Sequence, residues 1–233
     1  MTGTSVRYEE QRLIAADPEA IFEILRTPAE LVMLDPKGCL MKVIGGPVDS
    51  VDAVDDRFIC RYDPQVFDML SLVVDSVMKH TIKPDETAEA YANMTRKQKR
   101  EFSRMITEEI TDDVPNFDFD LDVSVFDVEM VVSRYERNRS IAWKMTPLEE
   151  TDRFYVAAVR MEEENGYDLE AVDGGTLVTT WLVHWSEEAD DDDDDQDALD
   201  EAEMIGEVAI ALQQRAGLAM LARTVAQRTR HTG

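Results

Sequence analysis

Two hydrophobic periods alternate along this chain, and they divide it into strand and helix regions. Residues 6–16 are polar at first and end in Leu13-Ile14-Ala15-Ala16, which predicts a strand running into a core. Asp17-Pro18-Glu19 follows, with Asp17 placed as a helix N-cap and Pro18 at the first helical position. Ile21, Phe22, Ile24 and Leu25 then form one apolar helical face. The device repeats at Thr27-Pro28-Ala29-Glu30, where Thr27 and Glu30 have capping-box spacing, and Leu31, Val32 and Leu34 follow before Asp35-Pro36-Lys37-Gly38 closes the helix. Residues 41–44 and 57–62 read as short strands, separated by an acidic turn region.

Residues 64–113 switch to helical spacing. Asp63-Pro64 reads as a helix start, and Val66, Phe67, Leu70, Val73, Val74 and Val77 recur at helical intervals; Pro84 interrupts, and Thr95-Arg96-Lys97-Gln98 is a second capping box. After Pro115 the period returns to two: Phe117, Phe119, Leu121, Val123 and Val125 alternate with polar residues, and 128–135 continue the strand. A turn at 136–139 leads to a strand with Ile141, Trp143 and Met145 on one face, and 154–161 is a further strand candidate. Asp173-Gly174-Gly175 is a tight hairpin signal between 167–172 and a strand at 176–185. Leu177, Thr179, Trp181, Val183 and Trp185 share one face of that strand, which is expected to be the inward one, with His184 opposite. Asp197–Gln227 reads as one long helix, with acids early and arginines late, matching the helix dipole. Gly206 and Gly217 lower its propensity and give either close approach to sheet or ligand, or simple tolerance.

Composition narrows the function classes. Against 24 Lys plus Arg stand 50 Asp plus Glu, a net charge of −26, which repels phosphate backbones and anionic membrane surfaces. Nucleic acid is therefore not an expected partner. No apolar run is long enough for membrane insertion and no secretion signal is visible, so a cytoplasmic location is expected, with Cys39 and Cys60 as free thiols. The aspartate run 190–195 lacks the glycine and terminal glutamate of a calcium loop and reads as solvated loop. His80, His184 and His231 are the three histidines; no nucleophile elbow, zinc helix, P-loop or dinucleotide fingerprint occurs, and no metal site or cofactor is expected.

Three stretches carry a family resemblance: Leu13 to Phe22; Tyr135-Glu136-Arg137-Asn138-Arg139-Ser140-Ile141-Ala142-Trp143; and Tyr167-Asp168-Leu169 through Asp173-Gly174-Gly175-Thr176 to Trp185-Ser186. In this order they resemble the START-like, or SRPBCC, superfamily, which includes polyketide cyclase/dehydrase-like proteins. The resemblance implies an α+β helix-grip fold, a curved antiparallel sheet wrapped around a long C-terminal helix, as a single domain over 1–233. The helical insertion 64–113, added length at 148–163, and His184 where the family often has Asp are departures. The family uses the space between sheet and helix as an apolar pocket, because a curved sheet does not close fully on one helix. The implied function is binding of an apolar or amphipathic small molecule, lipid or polyketide-like. The competing readings are a cyclase/dehydratase-type enzyme in the same pocket and an interaction protein resembling the activators of heat-shock-protein ATPases. Catalytic residues are not identifiable. The expected cavity lining is Phe22, Phe58, Trp143, Tyr167, Trp181, Trp185, Ile205, Val208 and Leu212, each of which ordinary core packing also explains. The insertion is expected to be a lid, with Met69, Met78, Met94 and Met105 as adaptable lining, or else an outer packing element or a homodimer interface.

Overall fold

A computed structural model describes residues 4–36, 39–63, 84–95, 97–99, 101, 125–148, 164–186 and 196–232. Strand β1 (Thr4–Ile14) leads into helices α1 (Pro18–Leu25) and α2 (Pro28–Leu34), followed by β2 (Leu40–Gly45) and β3 (Arg57–Tyr62). Helix α3 (Pro84–Asn93) lies within the insertion. Then come β4 (Phe126–Glu136), β5 (Ser140–Pro147), β6 (Glu164–Val172), β7 (Gly175–Ser186) and the 37-residue helix α4 (Gln196–Thr232). The strands form one antiparallel sheet in the order β1-β7-β6-β5-β4-β3-β2. This is the helix-grip fold. The expected strand at 154–161, the alternation at 117–124, the aspartate run 190–195 and the helical spacing at 64–83 and 102–113 lie outside the described residues.

Local chemistry sets the corners. The β6–β7 hairpin turns on Gly174, whose φ of +90° a side chain would disfavour. The next glycine has no alternative: a Cβ on Gly175 would stand 2.2 Å from the Ile14 carbonyl oxygen. Asn138 takes the left-handed position in the β4–β5 turn, at φ 60°. Pro18 and Pro28 start their helices as expected, but neither Asp17 nor Thr27 caps with its side chain. The Thr27 hydroxyl instead donates to Glu23 O at 2.7 Å, and Glu30 pairs with Arg228 at 2.7 Å. The two short helices follow so closely that the hydroxyl satisfies the end of α1 rather than the start of α2. The capping box at Thr95 does form: Thr95 N–H donates to Gln98 Oε1 at 2.8 Å, and Gln98 N–H to Thr95 Oγ1 at 3.2 Å.

The main core lies between the sheet and the C-terminal part of α4. Leu218, Leu221 and Val225 present one helical stripe to Phe58, Val128, Val132, Ile141, Trp143 and Val178, while α1 and α2 close one end. A second cluster joins α3 to a different side of α4, with Ala88, Tyr91 and Ala92 against Leu212, Ala216 and Ala219. Small alanines on both helices allow close approach. The described part of the insertion is thus packed onto α4.

Candidate functional site

Strand pairing decides which side chains face α4. Ile141 pairs with Tyr167 and Trp143 with Asn165, so these four share a face. Tyr167 pairs with Thr180, Leu169 with Val178 and Asn165 with Leu182, so the even positions 178–182 of β7 point inward. The Trp143 and Tyr167 rings meet edge-on at 6.0 Å on this inner face. At β4 a bulge between Val132 and Arg134 shifts the alternation, keeping both Val132 and Tyr135 inward and turning Arg134 out.

Trp181 therefore stands on the outer face, opposite to its expected position. It pairs with Gly166 and lies across it, beneath Arg7 (4.6 Å from the ring centroid) and Arg134 (5.1 Å). Asp168 bridges these two cations at 3.4 and 3.8 Å and accepts from Ser140 at 2.6 Å. The indole is only 1% exposed although it faces away from the core. Cation–π contact and a glycine floor bury it there.

The other expected lining residues divide. Phe22, Phe58 and Trp143 are buried in the main core, and Tyr167 packs against it. Phe22 meets Tyr135 edge-on at 5.3 Å. Val208 and Leu212 belong instead to the cluster beneath α3. The side chains of Trp185 and Ile205 lie outside the described residues, as do those of the three histidines. Among the described residues no group of His, Cys, Asp and Glu is arranged to hold a metal ion.

A polar end to this interior gathers where β6 and β7, α4 and the end of α2 meet. The Tyr167 hydroxyl is hydrogen-bonded with Thr180, whose own hydroxyl donates to Gly166 O at 3.3 Å. A Cβ on Gly217 would stand 3.8 Å from both Tyr167 Oη and Pro36 Cγ, so α4 passes here with room for a methyl group. Asp35 anchors the turn after α2 by accepting from Leu40 N–H at 2.7 Å. Burial pushes the Tyr167 hydroxyl up to about 12 against the lowering effect of Thr180, and the Asp35 charge adds to the rise. Burial and then Asp35 likewise push the Cys60 thiol up to about 12. Lys99 donates to Pro36 O at 2.6 Å and sits 4.3 Å over the Tyr91 ring, tying the insertion to the same corner. One turn before Gly217, Gln214 donates through its amide nitrogen to Tyr8 O at 3.1 Å. Its Oε1 is buried with no hydrogen-bond partner.

Sequence reasoning singled out Gly217 and Tyr167 but missed Thr180, Gln214 and Asp35. The available signal was a polar side chain inside an apolar period: Gln214 stands four residues before Leu218, and Thr180 two after Val178.

A cleft of about 450 Å³ opens between β1, α3 and α4, lined by Glu10, Arg12, Asp85, Glu89, Arg215 and Leu218 among others. Its rim is ionic. Arg12 pairs with Glu89 at 2.7 Å, and Arg215 bridges Glu10 and Asp85, both at 2.9 Å. Its apolar wall, Leu218, is a member of the main core.

No protein-family model matches the sequence, and no curated protein matches it. Solved structures do. The protein of unknown function SA2116 from Staphylococcus aureus is 8% identical over 97% of this chain and 98% of that one, with a TM-score of 0.50. The Zhui aromatase/cyclase from a Streptomyces species is 12% identical over 99% of each chain, with a TM-score of 0.49. At these identities the likeness is one of fold.

Proposed function

We propose that this chain binds an apolar or amphipathic small molecule in the space between the inner sheet face and α4, at the end marked by Trp143, Tyr167 and Gly217. One observation carries this reading. Tyr167 is deep enough that burial raises its hydroxyl to about 12, yet solvent still reaches part of the residue. Met145 and Asn165, also on the inner face, stay half-buried while Ile141 and Val178 are fully covered. In this reading the incompletely covered part of the inner face is where the ligand lies, and a lining of aromatic and aliphatic groups with a few polar ones is the usual form of a small-molecule site. The cleft between β1, α3 and α4 is the route in, since its wall at Leu218 belongs to the core. In this reading α3 is one wall of the entrance, packed on α4 through Ala88, Tyr91 and Ala92 and tied across the cleft by ion pairs.

The test is titration with an apolar fluorophore whose emission rises in a non-polar site. The expected result is saturable one-to-one binding that Gly217→Phe abolishes while the circular dichroism spectrum is unchanged. Absence of saturable binding, or binding indifferent to Gly217→Phe, contradicts the reading.

A further inference from the structure

The stripe of α4 that faces the sheet runs Gln214, Leu218, Leu221, Val225, spaced by four, three and four residues. Its first member is a carboxamide where the pattern calls for an apolar side chain. Gln214 is only 8% exposed. Its nitrogen is used on Tyr8 O, and its oxygen is left without a partner. A buried acceptor without a donor costs free energy, and a leucine here would avoid that cost. One helical turn further on, Gly217 leaves its gap in front of the Tyr167 hydroxyl. That hydroxyl is already engaged with Thr180, and Thr180 with Gly166 O. The negative charge of Asp35 acts on the same hydroxyl. Lys99, at the same corner, is turned onto the Tyr91 ring and Pro36 O. This end of the interior therefore holds an unused acceptor among apolar groups, where a charged ligand would pay a large desolvation cost.

Resting on the binding function proposed above, we propose that the ligand is uncharged and carries a hydroxyl group, alcohol or phenol, that donates a hydrogen bond to Gln214 Oε1, with its apolar body along Trp143 and Leu182. A carboxylate presents no donor, and its charge would be costly beside Trp143 and Leu182. An ether of the same shape presents no donor either, and leaves the glutamine oxygen as unsatisfied as before.

The experiment is displacement of the bound fluorophore from the intact protein by decanol, decyl methyl ether and decanoate, repeated with hexylphenol and hexylanisole. Decanol is expected to displace at about a tenfold lower concentration than the ether or the carboxylate, the ratio expected of one charge-free hydrogen bond to an otherwise orphaned buried acceptor. Comparison of the decanol and hexylphenol ratios identifies the alcohol or the phenol as the better fit. In Gln214→Leu, and in the unbranched Gln214→Met should the leucine variant not fold, decanol is expected to fall to the affinity of its ether. Equal displacement by alcohol and ether in the unmodified protein overturns this inference and leaves the apolar-binding reading standing. A preference that survives both Gln214 variants overturns the assignment to Gln214. If the fluorophore does not bind at all, the parent reading fails with it.

Discussion

The hydroxyl of Tyr167 lies 3.8 Å from the point where a Cβ on Gly217 would stand. That is ordinary van der Waals contact, so the glycine is not required for the helix to pass the sheet. Glycine inside a helix costs about 0.5–1 kcal/mol relative to alanine. Gly217→Ala is therefore expected to stabilise the protein by roughly that amount in urea unfolding, while weakening uptake of an apolar probe by filling the gap. A destabilised Gly217→Ala would mean that the contact is tighter than the geometry implies.

Gly166 presents the opposite case. A Cβ there would meet Trp181 Cζ2 at 2.3 Å and the Ala142 Cβ at 2.9 Å, and the indole is held down by two guanidinium groups. Gly166→Ala should cost about 1–3 kcal/mol through overpacking, with a shift in tryptophan emission as Trp181 is displaced. Unchanged stability and emission would contradict the outer-face packing.

Raised pKa values of buried acids translate into loss of stability at high pH. Cys60 is held up to about 12 from 9.0 and Tyr167 up to about 12 from 10.0, chiefly by burial, and Tyr91 is raised by burial as well. Each group stays protonated in the folded chain while its unfolded counterpart ionises. The stabilisation is complete below the unfolded values and is lost as pH climbs through the window from about 9 to about 12. The urea midpoint should fall steadily across that window, and Cys60 should resist alkylation near neutral pH until the chain unfolds. A flat alkaline profile, or fast labelling of the folded protein, would contradict it.

Salt should stabilise this protein. The ion pairs on its surface, such as Arg57 with Glu129 at 3.1 Å and Arg61 with Asp127 at 3.0 Å, are half-exposed and each contributes about 0–1 kcal/mol. A net charge of −26 on 233 residues makes self-repulsion the larger effect. Raising the salt from about 10 mM to about 1 M screens that repulsion over shorter and shorter distances, so Tm should rise. A fall in Tm would show that the ion pairs outweigh the repulsion.

The parts of this fold legible in the sequence were those set by local chemistry. The prolines after Asp17 and Thr27, the glycine turn at 173–175 and the reciprocal cap at Thr95 each act over a few residues, and each stands where the pattern placed it. The faces were harder. A period of two defines two sides of β7 without saying which is inward, and the size of Trp181 argued for the core. Pairing of Tyr167 with Thr180 settles the matter the other way, and it depends on partners distant in sequence. On α4, Leu212 and Leu218 are six residues apart, about 240° around the helix, so one apolar stripe in projection is two in space. The stripe at Leu218 meets the sheet, and that at Leu212 meets α3. Nothing local announces that an inserted helix will claim the second stripe.

The most direct test of an occupied interior is native mass spectrometry of the protein purified from its own source, followed by denaturation and extraction. The expected result is a stoichiometric adduct that leaves when the chain unfolds and proves to be an uncharged, hydroxylated, largely apolar compound. A clean apo mass, together with no saturable uptake of apolar probes, would contradict the binding function.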